Sequence, residues 1–322
     1  MCEAHGALIS GADRDSISRA GAILRRGGLV AFPTETVYGL GADAGNDRAV
    51  VRIFEAKGRP RFNPLIVHVR DFEHARSLAN FVAPAKTLAE MFWPGPLSLV
   101  LLRRADARIS LLASAGLDTI ALRVPAHPVA QQLLDDSRLA IAAPSANASG
   151  TISPTSAAHV AESLGEAVDL ILDAGFTPFG IESTVIGFNE RGPLLLRPGA
   201  LPREEIENLI GPLLEPAGHI ITSPGRLTSH YAPRVPLRLD AREVGSDDAL
   251  LAFGSDVPPG ARATRNLSVS GDLREAAANL FAMLRELDAT GCASIAVMSV
   301  PEHGLGEAIN DRLRRAAAPR NS

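Results

Sequence analysis

Only two cysteines, Cys2 and Cys292, occur in the 322 residues. So few and so far apart, they cannot build a disulfide framework or a cysteine-rich zinc site, and a reducing compartment is the simpler setting. Aromatic residues make up just 4% of the chain, which leaves few platforms for stacking bases. The formal charge of −4 gives no global basic footprint, so tight nonspecific nucleic-acid binding is not expected from net charge, although a local basic patch is compatible with it. The longest apolar stretches, such as 97–102, are strand-length and far short of a membrane span. The opening MCEAHGALISGADRDS carries acids early and no sustained apolar run, so no secretory or transit signal is read there and the expected location is cytoplasmic. No Gly-x-x-x-x-Gly-Lys-(Ser/Thr) segment occurs, which excludes a P-loop.

What remains is an ordinary globular composition, 46% hydrophobic and 21% charged, in a chain long enough to favour two domains. From Gly28 to about Gly211 short β-rich runs alternate with helical segments, the pattern of an α/β domain. Candidate strands are 29–32, 65–69, 97–102, 119–124, 139–143, 169–173 and 183–188, and together they imply one sizeable sheet. Val50, Ile53, Phe54 and Lys57 at i, i+3, i+4 and i+7 predict a helix capped by Asn46 or Asp47 and stopped by Gly58, so its last turn delivers Lys57. A second helix is expected to start with Ser153 as cap and Pro154 at its first position, and to stop near Gly165; Ser153 would then sit at an anion-friendly helix start. The proline- and glycine-rich 212–236 reads as an extended linker. Beyond it, 237–322 repeats the α/β alternation, with apolar runs near 249–254, a helix through Leu273, Ala277, Leu280, Leu284 and Leu287, a strand at 294–300 and a final helix.

Several segments carry chemistry, each beside a plain structural reading. Gly39, Gly41 and Gly45 suggest a dinucleotide loop, but the spacing is wrong and six residues separate them from the preceding strand, so the tight strand-to-helix turn is missing. Lys57, Arg59 and Arg61 in AKGRPRFNP are either a phosphate clamp, combining guanidinium forks with an ammonium, or a solvated basic cluster at a helix end. Ser145 and Asn147 follow a buried strand, where α/β sheets open into ligand crevices; they either bond phosphate or ribose, or simply terminate the strand as a polar turn. Thr34, Glu35, Thr36 and Tyr38 crowd the loop after the first strand, as site or as connection. His68 lies inside an apolar strand, where a satisfied core histidine is the usual case and a ligand contact the minority one.

Taken in order, PTETVYGLG, KGRP with NPLIVH, APSANASG, IESTV and LLRPG resemble the YrdC superfamily over about residues 15–210. SPGRLTSHYAP and the α/β tail extend the resemblance to the superfamily's two-domain threonylcarbamoyl-AMP synthase form, with Arg226 standing where a hydrophobic residue is the more familiar one. The resemblance implies a twisted, mostly mixed sheet with flanking helices over 1–211, a linker or lid at 212–236 and a smaller Rossmann-like α/β domain at 237–322. It further implies synthesis of L-threonylcarbamoyl-AMP from L-threonine, bicarbonate and ATP with release of pyrophosphate. Mg²⁺ would accompany ATP, and the product would go to a tRNA threonylcarbamoyl transferase for adenosine modification next to the anticodon, with room for a weak contact to tRNA itself.

Carried over residue by residue, Lys57 and Arg59 are catalytic. ATP is expected to meet Lys57, Arg59, Asn63, Thr119, Ser145, Asn147, Ser153 and Arg197, with His230 and Tyr231 folding over the site; threonine is expected to meet Thr36, His68, Arg123, Ala143 and Ser183. No protein metal ligand is expected. Two other functions are weighed against this one. A carbamoyl-transfer maturation factor would need acylphosphatase and zinc-finger regions, for which this chain has no Cys-x-x-Cys and too few residues. A noncatalytic RNA-binding module fits poorly with scarce aromatics and an acidic balance.

Overall fold

The structure, a computed structural model, describes residues 8–60, 62–216 and 230–319. Arg61, Arg226 and most of the expected linker lie outside the described residues. The chain runs β1 (Ile9–Gly11), α1 (Arg14–Arg25), β2 (Val30–Pro33), β3 (Tyr38–Asp43), α2 (Asp47–Lys57), β4 (Ile66–His68), α3 (Phe72–Leu78), β5 (Ala79–Asn80), α4 (Ala83–Phe92) and β6 (Leu97–Arg103). It continues through β7 (Thr119–Arg123), α5 (Pro128–Ser137), β8 (Ile141–Ala142), α6 (Ala157–Leu164), β9 (Leu170–Asp173), β10 (Thr184–Asn189), β11 (Gly192–Arg197) and α7 (Arg203–Ile210). The last part holds β12 (Leu237–Arg238), β13 (Ala249–Ala252), β14 (Ala263–Asn266), α8 (Leu273–Asp288), β15 (Ile295–Val297) and α9 (Leu305–Ala317).

Among the described residues, eleven strands form one sheet in the order β1-β9-β2-β3-β8-β4-β7-β6-β10-β11, with β5 on β6. Its pairings are mixed: β1, β9 and β2 run parallel, as do β4 with β7 and β6 with β10, while β3 and β8 insert antiparallel between the parallel blocks. The seven strands read from the sequence are all present. β1, β3, β5 and β11 are additional, and β3 is the instructive one.

Tyr38-Gly-Leu-Gly-Ala-Asp43 lies flat between β2 and β8, and its glycines serve close packing. A Cβ on Gly41 would meet Phe32 Cε1 at 2.8 Å and Ile141 Cγ2 at 2.9 Å, and one on Gly39 would meet the Ala143 Cβ at 3.3 Å. The glycine series is therefore a strand device and not a dinucleotide loop.

α2 forms as its pattern predicts: Asn46 accepts from the amides of Arg48 and Ala49, and Gly58 closes the helix at φ 56°. The helix expected at Ser153 starts later. α6 begins at Ala157, with Ser156 as the cap accepting from the His159 amide. The reason is tertiary: the Pro154 carbonyl accepts from the Tyr38 amide and the Thr155 carbonyl from the Thr177 amide, so this segment is held extended. Ser153 is thus not at a helix start, and the anion site expected there is withdrawn; the stop at Gly165 holds.

The last four strands make an all-parallel sheet, order β12-β15-β13-β14, under α8 and α9. Its core continues into the first sheet's side: Tyr231, Val37, Ile152, Ile181 and Ala200 pack in one cluster with Leu280, Phe281, Leu284 and Leu313. Polar bonds reinforce the joint, among them Arg203 to Glu307 at 2.7 Å and Arg285 to the Ile152 carbonyl at 2.5 Å. No described helix is long and apolar enough to cross a membrane.

Candidate functional site

The carboxyl ends of β2, β4, β7 and β8 converge with the start of β10 and the end of β11 around a cavity. Strand ends are where α/β sheets place ligand crevices, since backbone groups there leave the ladder and side chains fan out. Thr34, Thr36, Arg59, His68, Arg123, Ala143, Ser145, Glu182, Ser183, Arg197, His230 and Tyr231 are among the residues in its wall.

One wall is cationic. The last turn of α2 aims buried Lys57 at the loop after β8, where Nζ donates to the Ser145 carbonyl at 2.5 Å and to the Asn147 carbonyl. Lys57 therefore fixes the shape of the 145–147 loop and does not itself line the cavity. Arg59 closes its own loop by donating to the carbonyls of Asn63, at 3.2 Å, and Pro64, at 2.9 Å. Arg197 donates to the Ser183 carbonyl at 2.8 Å and to its hydroxyl at 3.2 Å. Among the described residues none of these three cations has an ion-pair partner within 4 Å. Burial, together with mutual repulsion, holds Lys57 well below the usual ammonium range and pulls Arg59 down to about 10.

Asn63 is fully buried and neither polar atom of its amide meets a protein partner; nor does Oδ1 of Asn147, whose Nδ2 is bonded to the carbonyls of Ala148 and Thr151. The free Nδ2 of Asn63 can donate to an anionic ligand, whereas the free oxygens of Asn63 and Asn147 can only accept, as from a ribose hydroxyl.

The opposite wall is charge-matched. Thr34 Oγ1 lies 2.8 Å from Thr36 Oγ1, and Arg123 donates to Thr36 Oγ1 at 2.9 Å and to the Gly95 carbonyl at 3.2 Å. The remaining Arg123 nitrogen, Nη2, lies 2.6 Å from Glu35 Oε1, while Glu35 Oε2 accepts from the Ala126 amide at 3.0 Å. His68, the register partner of Arg123 across β4–β7, has an Nδ1 with no protein partner. Burial first, and then the Arg123 charge, lower it to about 3, so the ring is neutral at physiological pH. Ser183 Oγ stands 2.9 Å from Ser98 Oγ.

Most residues expected at the site thus meet in one place. Thr119 does not line the cavity: it pairs with Leu102 four residues before Arg123, about 13 Å along the strand. Ser153 lies behind the wall and donates to Glu182 Oε1 at 2.5 Å. Glu182 escaped the sequence reading, and Glu35 was read only as part of a polar loop, as site or as connection. Glu35 sits within a segment whose polar density was visible, but its pairing with Arg123 spans residues far apart in the chain. Glu182 lies beside Ser183, and nothing local marks it as a cavity wall.

Two family profiles match the chain: the Sua5–YciO–YrdC profile, described as "Telomere recombination", over residues 22–199, and "Threonylcarbamoyl-AMP synthase, C-terminal domain" over residues 201–318. The threonylcarbamoyl-AMP synthase of Pyrococcus abyssi is 44% identical over 320 residues, spanning 94% of each protein. That of Bacillus subtilis is 42% identical, spanning 94% of this chain and 93% of the relative. The crystal structure of P. abyssi Sua5 complexed with L-threonine superimposes with a TM-score of 0.88 at 40% identity, over 97% of this chain and 96% of the other.

Proposed function

This chain belongs to the Sua5–YciO–YrdC family, and from that membership and the cavity we propose that it is an enzyme making L-threonylcarbamoyl-AMP from L-threonine, bicarbonate and ATP. The observation that carries the reading is the division of one cavity into a cationic wall without counter-ions and a charge-matched wall with a neutral imidazole. A triphosphate suits the first. The amino acid suits the second, and a threonine complex is known for the P. abyssi relative.

In this reading the threonine amine attacks carbon dioxide derived from bicarbonate, forming the N–C bond and losing a proton. A carbamate oxygen then forms a bond to the α-phosphorus while the bond from that phosphorus to the bridging oxygen breaks, and pyrophosphate leaves. Arg59 and Arg197 stabilise charge that spreads over the phosphates, and Lys57 holds the Ser145–Asn147 loop in place to meet them. His68, kept neutral, offers Nδ1 to the substrate amine; Arg123, fixed by Glu35, Thr36 and the Gly95 carbonyl, orients the carboxylate through its planar fork. Mg²⁺ would accompany the triphosphate and share its charge. The product would supply a tRNA threonylcarbamoyl transferase in the cytoplasm.

The test is pyrophosphate release from ATP by the purified chain. Release that requires both threonine and bicarbonate, with an AMP-linked product, is the expected result; release independent of threonine overturns the reading. An RNA titration without ATP addresses the noncatalytic alternative, which demands robust affinity that falls with salt.

A further inference from the structure

One buried side chain of the second sheet's helices is tied to a carboxylate of the cavity wall. Arg312 on α9 is wholly buried, at 0% exposure. Its Nε donates to Glu182 Oε2 at 2.9 Å, and its Nη1 to the Pro198 carbonyl at 2.9 Å and to Asp311 Oδ2 at 2.6 Å. Its guanidinium carbon stands 5.1 Å from the centre of the Tyr231 ring, and Tyr231 stacks on Phe281 of α8 with ring centres 5.5 Å apart. Glu182 is itself in the cavity wall, and its backbone runs directly into Ser183, which holds Arg197.

Burying a guanidinium and a carboxylate this deeply is expensive, and packing alone could be achieved with apolar residues of similar volume. The pair stands where its charge matters. Glu182 is the carboxylate beside the cationic wall, close enough to Arg197 to act on it electrostatically. Freed from Arg312, it would be drawn to Arg197 and occupy the charge that the phosphates need. We propose that Arg312 is a positioning residue for the nucleotide site: it neutralises Glu182 and turns it away from Arg197, so that the second sheet unit sets the affinity of the cationic wall for ATP.

Burial by itself would raise the Glu182 carboxyl, yet the charges of Arg312 and Arg197 hold it below its ordinary value, so the carboxylate stays ionised and its position matters at working pH. The role is electrostatic and lies on the phosphate side. It therefore separates ATP affinity from threonine affinity, which a merely structural role would not do.

This inference rests on the ATP-dependent reading above, and the experiment keeps the two apart. Threonine-dependent pyrophosphate release is measured first on the unaltered chain; its absence counts against the reaction. ATP and threonine affinities are then measured by calorimetry, without turnover, on the full-length variants. Arg312→Gln, which keeps a donor but drops the charge, is expected to weaken ATP at least about tenfold while threonine changes less than about threefold, a coupling of ordinary size for a buried pair. Glu182→Gln added to it removes the stranded carboxylate and recovers most of the ATP affinity. Arg312→Lys, which keeps the charge and loses the fork, stays within about threefold of the unaltered chain for ATP. Unchanged ATP affinity in Arg312→Gln, or equal losses for both ligands, overturns the role. If Arg312→Gln does not fold, the lysine variant decides: a large ATP loss there shows that shape matters and charge does not, and the proposal falls.

Discussion

The two walls of the cavity both carry buried arginines and solve opposite problems. On one side Arg59 and Arg197 donate only to carbonyl and hydroxyl oxygens, with Lys57 behind them holding the Ser145–Asn147 loop, so the positive charge facing the cavity has no ion-pair partner among the described residues. On the other, Arg123 faces Glu35 at 2.6 Å, and its charge is cancelled within the protein. An uncompensated buried cation is unstable until an anion arrives, which makes the first wall a charge detector. A compensated one contributes direction and little net attraction, which makes the second wall a shape detector. A polyanion and a zwitterion can therefore share a single cavity without exchanging places.

The largest break in this contrast should come from Arg59→Ala. Loss of a preorganised cation at developing phosphate charge is expected to lower kcat/KM for ATP by about 10²–10³, with the melting temperature retained within a few degrees. Pyrophosphate release and thermal unfolding check it, and near-normal turnover in the folded variant would remove Arg59 from the charge-detecting wall. Arg123→Lys should act on the other ligand, raising the KM for threonine by about 10- to 100-fold with ATP affinity nearly intact, because the point charge remains and the bidentate fork is lost.

His68 sharpens the contrast through pH. Its folded value of about 3 lies below the ordinary value of 6.5, so the unfolded chain takes up a proton first as the solution is acidified. The stability tied to the neutral ring is complete above about pH 6.5 and is lost as pH falls towards 3. At pH 5 this amounts to about 2 kcal/mol, and His68→Gln should flatten that part of the stability profile in denaturant titrations at pH 7 and pH 5. The smallest effect belongs to Ser145→Ala. Removing one hydroxyl from the cationic side should raise the KM for ATP only several-fold, the size of a single neutral hydrogen bond, while the threonine KM stays put.

The periodic elements were readable because their signals are local. α2 carries its cap, its apolar stripe and its stop within thirteen residues, 46–58, and folds as they predict. β3 was hidden because the sequence Tyr-Gly-Leu-Gly-Ala-Asp lacks the branched residues that mark strands; its glycines answer to Phe32, Ile141 and Ala143, which lie far away in sequence. The start of α6 was misplaced for a related reason. Ser153-Pro154 is a sound helix opening in isolation, and it lost to hydrogen bonds from Tyr38 and Thr177 that hold the segment extended.

The sequence by itself determined the alternation of strands and helices, the polar loops at strand ends, and the order of motifs that mark the family, because propensity, capping and turn chemistry act over a few residues. Only the tertiary structure decided which charges meet. Glu35 with Arg123, Lys57 with the Ser145–Asn147 loop, and Arg312 with Glu182 join positions 88, 88 to 90 and 130 residues apart. Buried charges are tolerated only with a partner or a ligand, so it is their pairing in space, settled after the sheets have packed, that separates the residues holding the cavity together from those left open to a substrate.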